Sequence, residues 1–150
     1  MQKGECFATS VRKASRRLTQ LYDDALAPSG LRSTQFAILV QLAARSTSPT
    51  LTELAEAMVS DRSSLGHALR PLVQEGYVAL RRGEADRRTQ QIVLTDSGQR
   101  KFQEALANWR TAQEAVVLLY GEEWSETLRA AVLTIAHDNR LGKLTGDAEL

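Results

Sequence analysis

Apolar and polar positions alternate along this chain with two different periods, and the changes of period mark its elements. In "CFATSVRKASRRLTQLYDDAL", Phe7, Val11, Ala14, Leu18, Leu21 and Ala25 recur at steps of three and four, which places them on one face of an α-helix. "APSG" breaks that run: Pro28 disfavours helical backbone at Ala27, and Gly30 permits a sharp change of direction. The next segment, "TQFAILVQLAA", is mostly apolar, as expected of a helix buried at the centre of a domain. Ser33 stands where its N-cap is wanted. "RSTSP" reads as a loop.

Two short helices follow. "TLTELAEAM" begins with Thr50 and Glu53 at capping-box spacing, with Thr52 an equally good cap. After the tight connection "VSD", Asp61 is placed to cap "RSSLGHALRPLVQE", and Gly76 to close it as the residue just past the helix. Pro71 lies inside this helix, where it removes a donor and clashes with the carbonyl of His67. Either the last turns bend, or the helix ends there and "LVQEG" becomes a turn. Two short helices with so brief a connection have helix-turn-helix spacing, which a generic helical hairpin shares.

The period then drops to two. "YVALRR" puts Tyr77, Ala79 and Arg81 on one face and Val78, Leu80 and Arg82 on the other. "QIVLT" returns after the loop "GEADRRTQ", so the pair reads as a hairpin with a long tip. Helix-turn-helix followed directly by a hairpin is the winged-helix arrangement. Thr95 then caps "DSGQRKFQEALANWRTAQEAVVLLY", a long helix that Gly121 closes. A last helix, from about Glu123 to Asp138, carries Trp124, Leu128, Ala131, Val132 and Ile135. The expected fold is mainly α with a small β-hairpin wing, in one domain over residues 1–150. Residues 31–98 would form the winged-helix DNA-binding region. Residues 5–27 and 99–138 would be dimerisation helices, because their apolar faces have no second domain to cover them and a C2 dimer would bury them.

Composition changes this picture little. Hydrophobic content of 43% is enough for a buried core. Nineteen Lys and Arg against eighteen Asp and Glu give a formal charge of +1, so global charge selects no partner. Local charge does: from Arg62 to Arg88 there are arginines at 62, 70, 81, 82, 87 and 88 but acids only at Glu75, Glu84 and Asp86, a basic stretch on a neutral protein. One cysteine excludes an internal disulfide. His67 and His137 lie far apart without a carboxylate cluster, so neither a metal nor a cofactor is expected. Apolar runs such as "AVVLLY" are too short to span a bilayer, and the start lacks an apolar leader; a cytoplasmic protein with no membrane partner follows as the expectation. No Ser/His/Asp, paired-carboxylate or glycine-rich phosphate constellation has usable spacing, so no enzyme is expected.

The basic stretch suits double-stranded DNA. The major groove admits one α-helix whose first turns face base edges, and "DRSSLGHALR" supplies Arg62, Ser63, Ser64, His67 and Arg70 as donors, with Leu65, Leu69 and Leu72 at core spacing behind them. Gly66 lets one face approach closely. A hairpin tip is narrow enough for the minor groove, where arginines fit; Arg87 and Arg88 are the candidate contacts. Asp86, which phosphates would repel, is assigned to fixing the tip by accepting hydrogen bonds. A winged-helix module whose arginines meet an acidic protein partner is the competing reading of the same residues.

"ADRRTQQIVLTDSG" resembles the wing signature of the MarR family of bacterial transcription regulators, with Asp86, Arg88, Leu94, Thr95 and Gly98 in the signature places. "LTELAEAMVSDRSSLGHALRPLVQEGYV" is similar to that family's helix-turn-helix, including Leu54, Ala55, Gly76 and Tyr77. The resemblance spans about residues 6–137 and is strongest over 50–98. It implies a homodimer held by its terminal helices, two recognition helices on a pseudo-palindromic operator, and usually repression. Many members are relieved by a small phenolic or other aromatic effector between the dimer and DNA-binding regions; Arg16, Tyr22, Phe36 and Trp109 are the candidate ligand residues. The opening "ECFATSVRKASRRLTQLY" resembles the peroxide-sensing branch, which implies a redox role for Cys6 with Tyr22 as its partner. A lone cysteine on a helix is more often a small packing residue, and that reading of Cys6 stands beside the redox one.

Overall fold

The computed structural model of the chain describes residues 6–83 and 88–141. In order, these form α1 (Phe7–Leu26), a 3-10 turn (Ala27–Ser29), α2 (Ser33–Ala43), α3 (Leu51–Ala57), α4 (Arg62–Gln74), β1 (Val78–Arg82), β2 (Gln90–Leu94), α5 (Asp96–Tyr120) and α6 (Glu122–Ala136). The fold is mainly α with one antiparallel hairpin, as expected. The chain divides into two compact units, Met1–Gln113 and Glu114–Leu150.

In the first unit, α2 is the central helix. Phe36, Ile38, Leu39 and Leu42 are all buried, and Leu26, Leu54, Leu65, Leu72, Val78 and Ile92 join them in a single core. The caps explain most of the boundaries. Thr50 and Glu53 form the reciprocal box that starts α3: the Thr50 N–H donates to Glu53 Oε2 at 2.7 Å and the Glu53 N–H to Thr50 Oγ1 at 3.3 Å. Asp61 Oδ1 accepts from the Ser64 N–H at 2.8 Å and starts α4. α4 runs through Pro71 to Gln74, so the alternative in which proline ends the helix does not hold. Gly76, at φ 73°, closes it: its N–H donates to the Val73 carbonyl and the Tyr77 N–H to the Leu72 carbonyl, at 3.1 and 2.9 Å. That pair of bonds is a Schellman ending.

Ser33 does not cap α2. The N-cap is Arg32, whose N–H donates to the Gln35 side chain at 2.8 Å. The Ser33 N–H is taken by Asp23 Oδ1 of α1 at 2.7 Å. With Arg32 as N-cap, the Ser33 N–H is a first-turn donor without a partner inside the helix, and the Asp23 carboxylate ten residues earlier supplies one at the positive helix end.

The hairpin pairs Val78 with Leu94 and Arg82 with Gln90. The segment read as a plain loop contributes to it: the Ile92 N–H donates to the Pro49 carbonyl at 2.8 Å, and Thr50 bridges to Gln91. The start of α3 is thereby tied to the hairpin's second strand. At the hairpin's end Thr95 accepts from the Gly98 N–H at 3.0 Å, capping α5, while its hydroxyl donates to the Gly76 carbonyl at 2.7 Å. The Thr95 N–H donates to the Tyr77 carbonyl at 3.1 Å. Gly98 must be glycine here, since a Cβ would stand 2.0 Å from the Tyr77 oxygen.

In the second unit, Gly121 (φ 84°) ends α5, and its carbonyl accepts from the Ser125 N–H and hydroxyl at 3.1 and 2.7 Å in the first turn of α6. Tyr120 and Trp124 stack at 4.6 Å between centroids. Leu118, Leu119, Val132, Leu133 and Ile135 are exposed.

Candidate nucleic-acid interface and ligand cleft

α4 has two unlike faces. Leu65, Leu69 and Leu72 point into the core, which sets the helix's rotation. The same rotation leaves Arg62, Ser63, Ser64, His67 and Arg70 exposed. All five candidate DNA contacts on this helix therefore share the solvent side, with three donors, Arg62, Ser63 and Ser64, in the first turn. Among the described residues neither Arg62 nor Arg70 makes an ion pair.

Between α4 and the hairpin lies a cleft of about 650 Å³. Arg62, Gly66 and Arg70 line one wall, Leu80, Thr89 and Gln90 the other, and Thr50 and Thr52 one end. Among the described residues no acidic side chain lines it. Arg88 is exposed at the hairpin, and Arg81 and Arg82 are exposed on β1. Asp86 and Arg87, the other two candidate wing residues, lie outside the described residues.

A second cleft, of about 340 Å³, brings together Tyr22 of α1, Phe36 of α2 and Trp109 of α5. Three of the four candidate ligand residues thus meet, with Val40, Gln41 and Met58 completing the walls. Phe36 is also a core residue, 3% exposed, and its ring lies 5.8 Å from Phe102 and 6.1 Å from Trp109. The Tyr22 hydroxyl donates to Gln113 Oε1. Arg16 is not in this cleft. It lines an open groove on α1 with Arg12, Asp23 and Arg32. Gln41 and Met58 on the walls, and Gln113 as the partner of Tyr22, were missed by sequence reasoning; no local signal marks them, since only packing between helices brings them to these places.

Cys6 is the N-cap of α1 and is exposed. The side-chain hydrogen bond with Thr9, 3.5 Å away, and the nearby Thr9 and Ala8 amides hold its thiol below the ordinary range. Cys6 and Tyr22 do not meet within one chain: they lie at opposite ends of one helix, about 24 Å apart at 1.5 Å per residue. Among the described residues no group of three metal-ligating side chains occurs, and no helix is long and apolar enough to cross a membrane.

The sequence profile of the MarR family matches residues 31–89, from α2 through α3 and α4 to the first strand of the hairpin. The transcriptional regulator MosR of M. tuberculosis, in complex with DNA, is 33% identical, with a TM-score of 0.79 over 91% of this chain and 98% of that one. The chain belongs to the MarR family. It is a winged-helix transcription regulator and not an enzyme. The transcriptional repressor CouR, bound to a 23-mer DNA duplex, is 25% identical, with a TM-score of 0.80 over 91% of this chain and 99% of that one. The Bordetella bronchiseptica regulator BpsR, whose DNA binding is regulated by 6-hydroxynicotinic acid, shares the fold at 18% identity, with a TM-score of 0.76 over 92% and 97% of the two chains. No curated protein sequence matches this MarR-family chain.

Proposed function

We propose that this MarR-family chain is a homodimeric repressor that binds a pseudo-palindromic operator and is released by a small aromatic effector. The observation that carries the reading is the division of α4 into a leucine face held in the core and a solvent face bearing Arg62, Ser63, Ser64, His67 and Arg70. A helix held by one face and polar in its first turn on the other is suited to the major groove. Arg87 and Arg88 at the wing then contact phosphates and the minor groove, and Asp86 holds the tip. A dimer is supported in each unit separately: α1 exposes Phe7, Val11 and Leu18, and the second unit exposes Leu118, Leu119, Val132 and Ile135. Burying such faces on a twofold axis would set two α4 helices about 34 Å apart, one turn of DNA. The aromatic walls of the Tyr22–Phe36–Trp109 cleft, with the Tyr22 hydroxyl and Gln41 as polar groups, suit a flat phenolic ligand. Relatives support parts of this reading: MosR and CouR structures contain DNA, and a CouR structure contains p-coumaroyl-CoA.

The test is selection of bound fragments from sheared genomic DNA, followed by the mass of the complex. Inverted half-sites one helical turn apart, holding two chains, are expected; a monomer indifferent to every fragment in dilute buffer refutes it. Hydroxylated aromatic acids added to the complex should then release the duplex.

A second reading makes release redox-controlled. It is favoured by the exposure of Cys6 and the lowering of its thiol pKa through Thr9, since thiolate is the reactive form. Cys6→Ser should then leave duplex binding intact and abolish release by peroxide; release that persists in the variant disposes of the idea.

A further inference from the structure

Gly66 sits in the middle of α4, one turn from Arg62 and one turn from Arg70. Among the described residues nothing requires glycine there. Its φ is not in the left-handed region, and a Cβ built on it meets no atom of the described residues within 4 Å. The contrast with Gly98 is direct, because there a Cβ would collide with the backbone oxygen of Tyr77. Glycine in a helix interior lowers stability relative to alanine, through backbone entropy. A residue that weakens its own helix and relieves no clash with any described residue points to something outside the chain that comes close.

The surroundings indicate what that is. Gly66 lines the 650 Å³ cleft between α4 and the hairpin, flanked by Arg62 and Arg70 and faced by Thr89 and Gln90, with no acid on the walls among the described residues. A helix in the major groove and a hairpin in the adjacent minor groove must straddle the one sugar–phosphate strand that separates those grooves. The gap between the two elements is where that strand has to pass. Two guanidiniums a turn either side of a bare stretch of helix backbone suit it: the charges meet phosphate oxygens, and the missing side chain lets the strand settle against the helix.

We infer that this cleft is the passage for a single DNA strand and that Gly66 is its floor, a positioning residue that sets how deeply α4 enters the major groove. The inference rests on the DNA-binding reading of α4 and deepens it. It assigns Gly66 to depth, and Arg62 and Arg70 to charge.

Gly66→Ala and Gly66→Leu separate these roles, with the duplexes selected by the parent as probe. The alanine variant should melt about 2–4 °C above the parent, because the helix gains and nothing clashes. It should nevertheless bind those duplexes about tenfold or more weakly, and the leucine variant more weakly still, as a side chain fills space the strand needs. The slope of log affinity against log salt should stay that of the parent, since no phosphate contact is removed, whereas Arg70→Ala should lower it by about one. An alanine variant that binds as tightly as the parent overturns the role of Gly66. A parent that binds no duplex with salt dependence overturns the underlying reading instead.

Discussion

Gly98→Ala tests how the hairpin is joined to the rest of the domain. The built Cβ stands 2.0 Å from the Tyr77 carbonyl oxygen, 2.9 Å from the Tyr77 carbonyl carbon and 2.7 Å from Leu94 Cδ1. The leucine can rotate away, but the backbone carbonyl cannot. It is held between β1 and the end of α4, and it accepts from both the Thr95 N–H and the Thr95 hydroxyl at 3.1 Å. The chain must therefore open at the Tyr77–Thr95 junction by more than an ångström. Overpacking of this kind costs about 1–3 kcal/mol, and each bond lost at Tyr77 adds about 1 kcal/mol. Alanine's better helix propensity returns about 1 kcal/mol. A net loss of about 3 kcal/mol is a large share of the roughly 5–15 kcal/mol that holds a domain together. Thermal unfolding followed by circular dichroism should show Tm lowered by about 6–12 °C, and urea unfolding a lower midpoint with an unchanged slope. The same chemical change at Gly66 is expected to raise Tm. If Gly98→Ala melts at or above the parent temperature, the close approach of α5 to Tyr77 does not hold the hairpin, and the reasoning fails.

Two further outcomes follow from single contacts. Arg88→Ala should weaken binding to all duplexes alike and reduce the salt slope by about one; an unchanged salt series would remove the wing from the mechanism. Asp23 is the acid that joins α1 to α2. Burial works to raise its carboxyl, but bonds from the Ser33 amide and hydroxyl and from Arg32 outweigh it and hold the group below its ordinary value. A carboxyl lowered in the folded state contributes stability that is complete above its unfolded pKa, about 4, and is lost as pH falls through the folded value. The parent's Tm should therefore drop as pH is lowered below about 4, and Asp23→Asn should follow a flatter curve; parallel curves would show that the Asp23–Ser33 link carries no net weight.

How much of this was legible beforehand depended on the reach of each signal. The caps of α3 and α4 were readable because Thr50–Glu53 and Asp61–Ser64 are pairs three residues apart, and such pairs meet in any helix start. Gly76 was readable for the same reason. So was the hairpin, since a period of two admits only a few registers. The solvent face of α4 followed once its leucines were assigned inward. The charge of the wing was visible too, as a run of arginines.

The tertiary structure decided what depends on contacts between distant residues. Asp23 took the Ser33 N–H at the start of α2, and the Pro49 carbonyl reached Ile92. Tyr22, Phe36 and Trp109 converged on one cleft while Arg16, on the same helix as Tyr22, went to another. Gly66 and Gly98 look alike in the sequence, yet one faces open space and the other a carbonyl oxygen. A sequence specifies the bonds that close within a helical turn or a strand pair, because the local geometry is nearly constant. Which long-range partner wins is set by how whole elements pack, and only coordinates record the result.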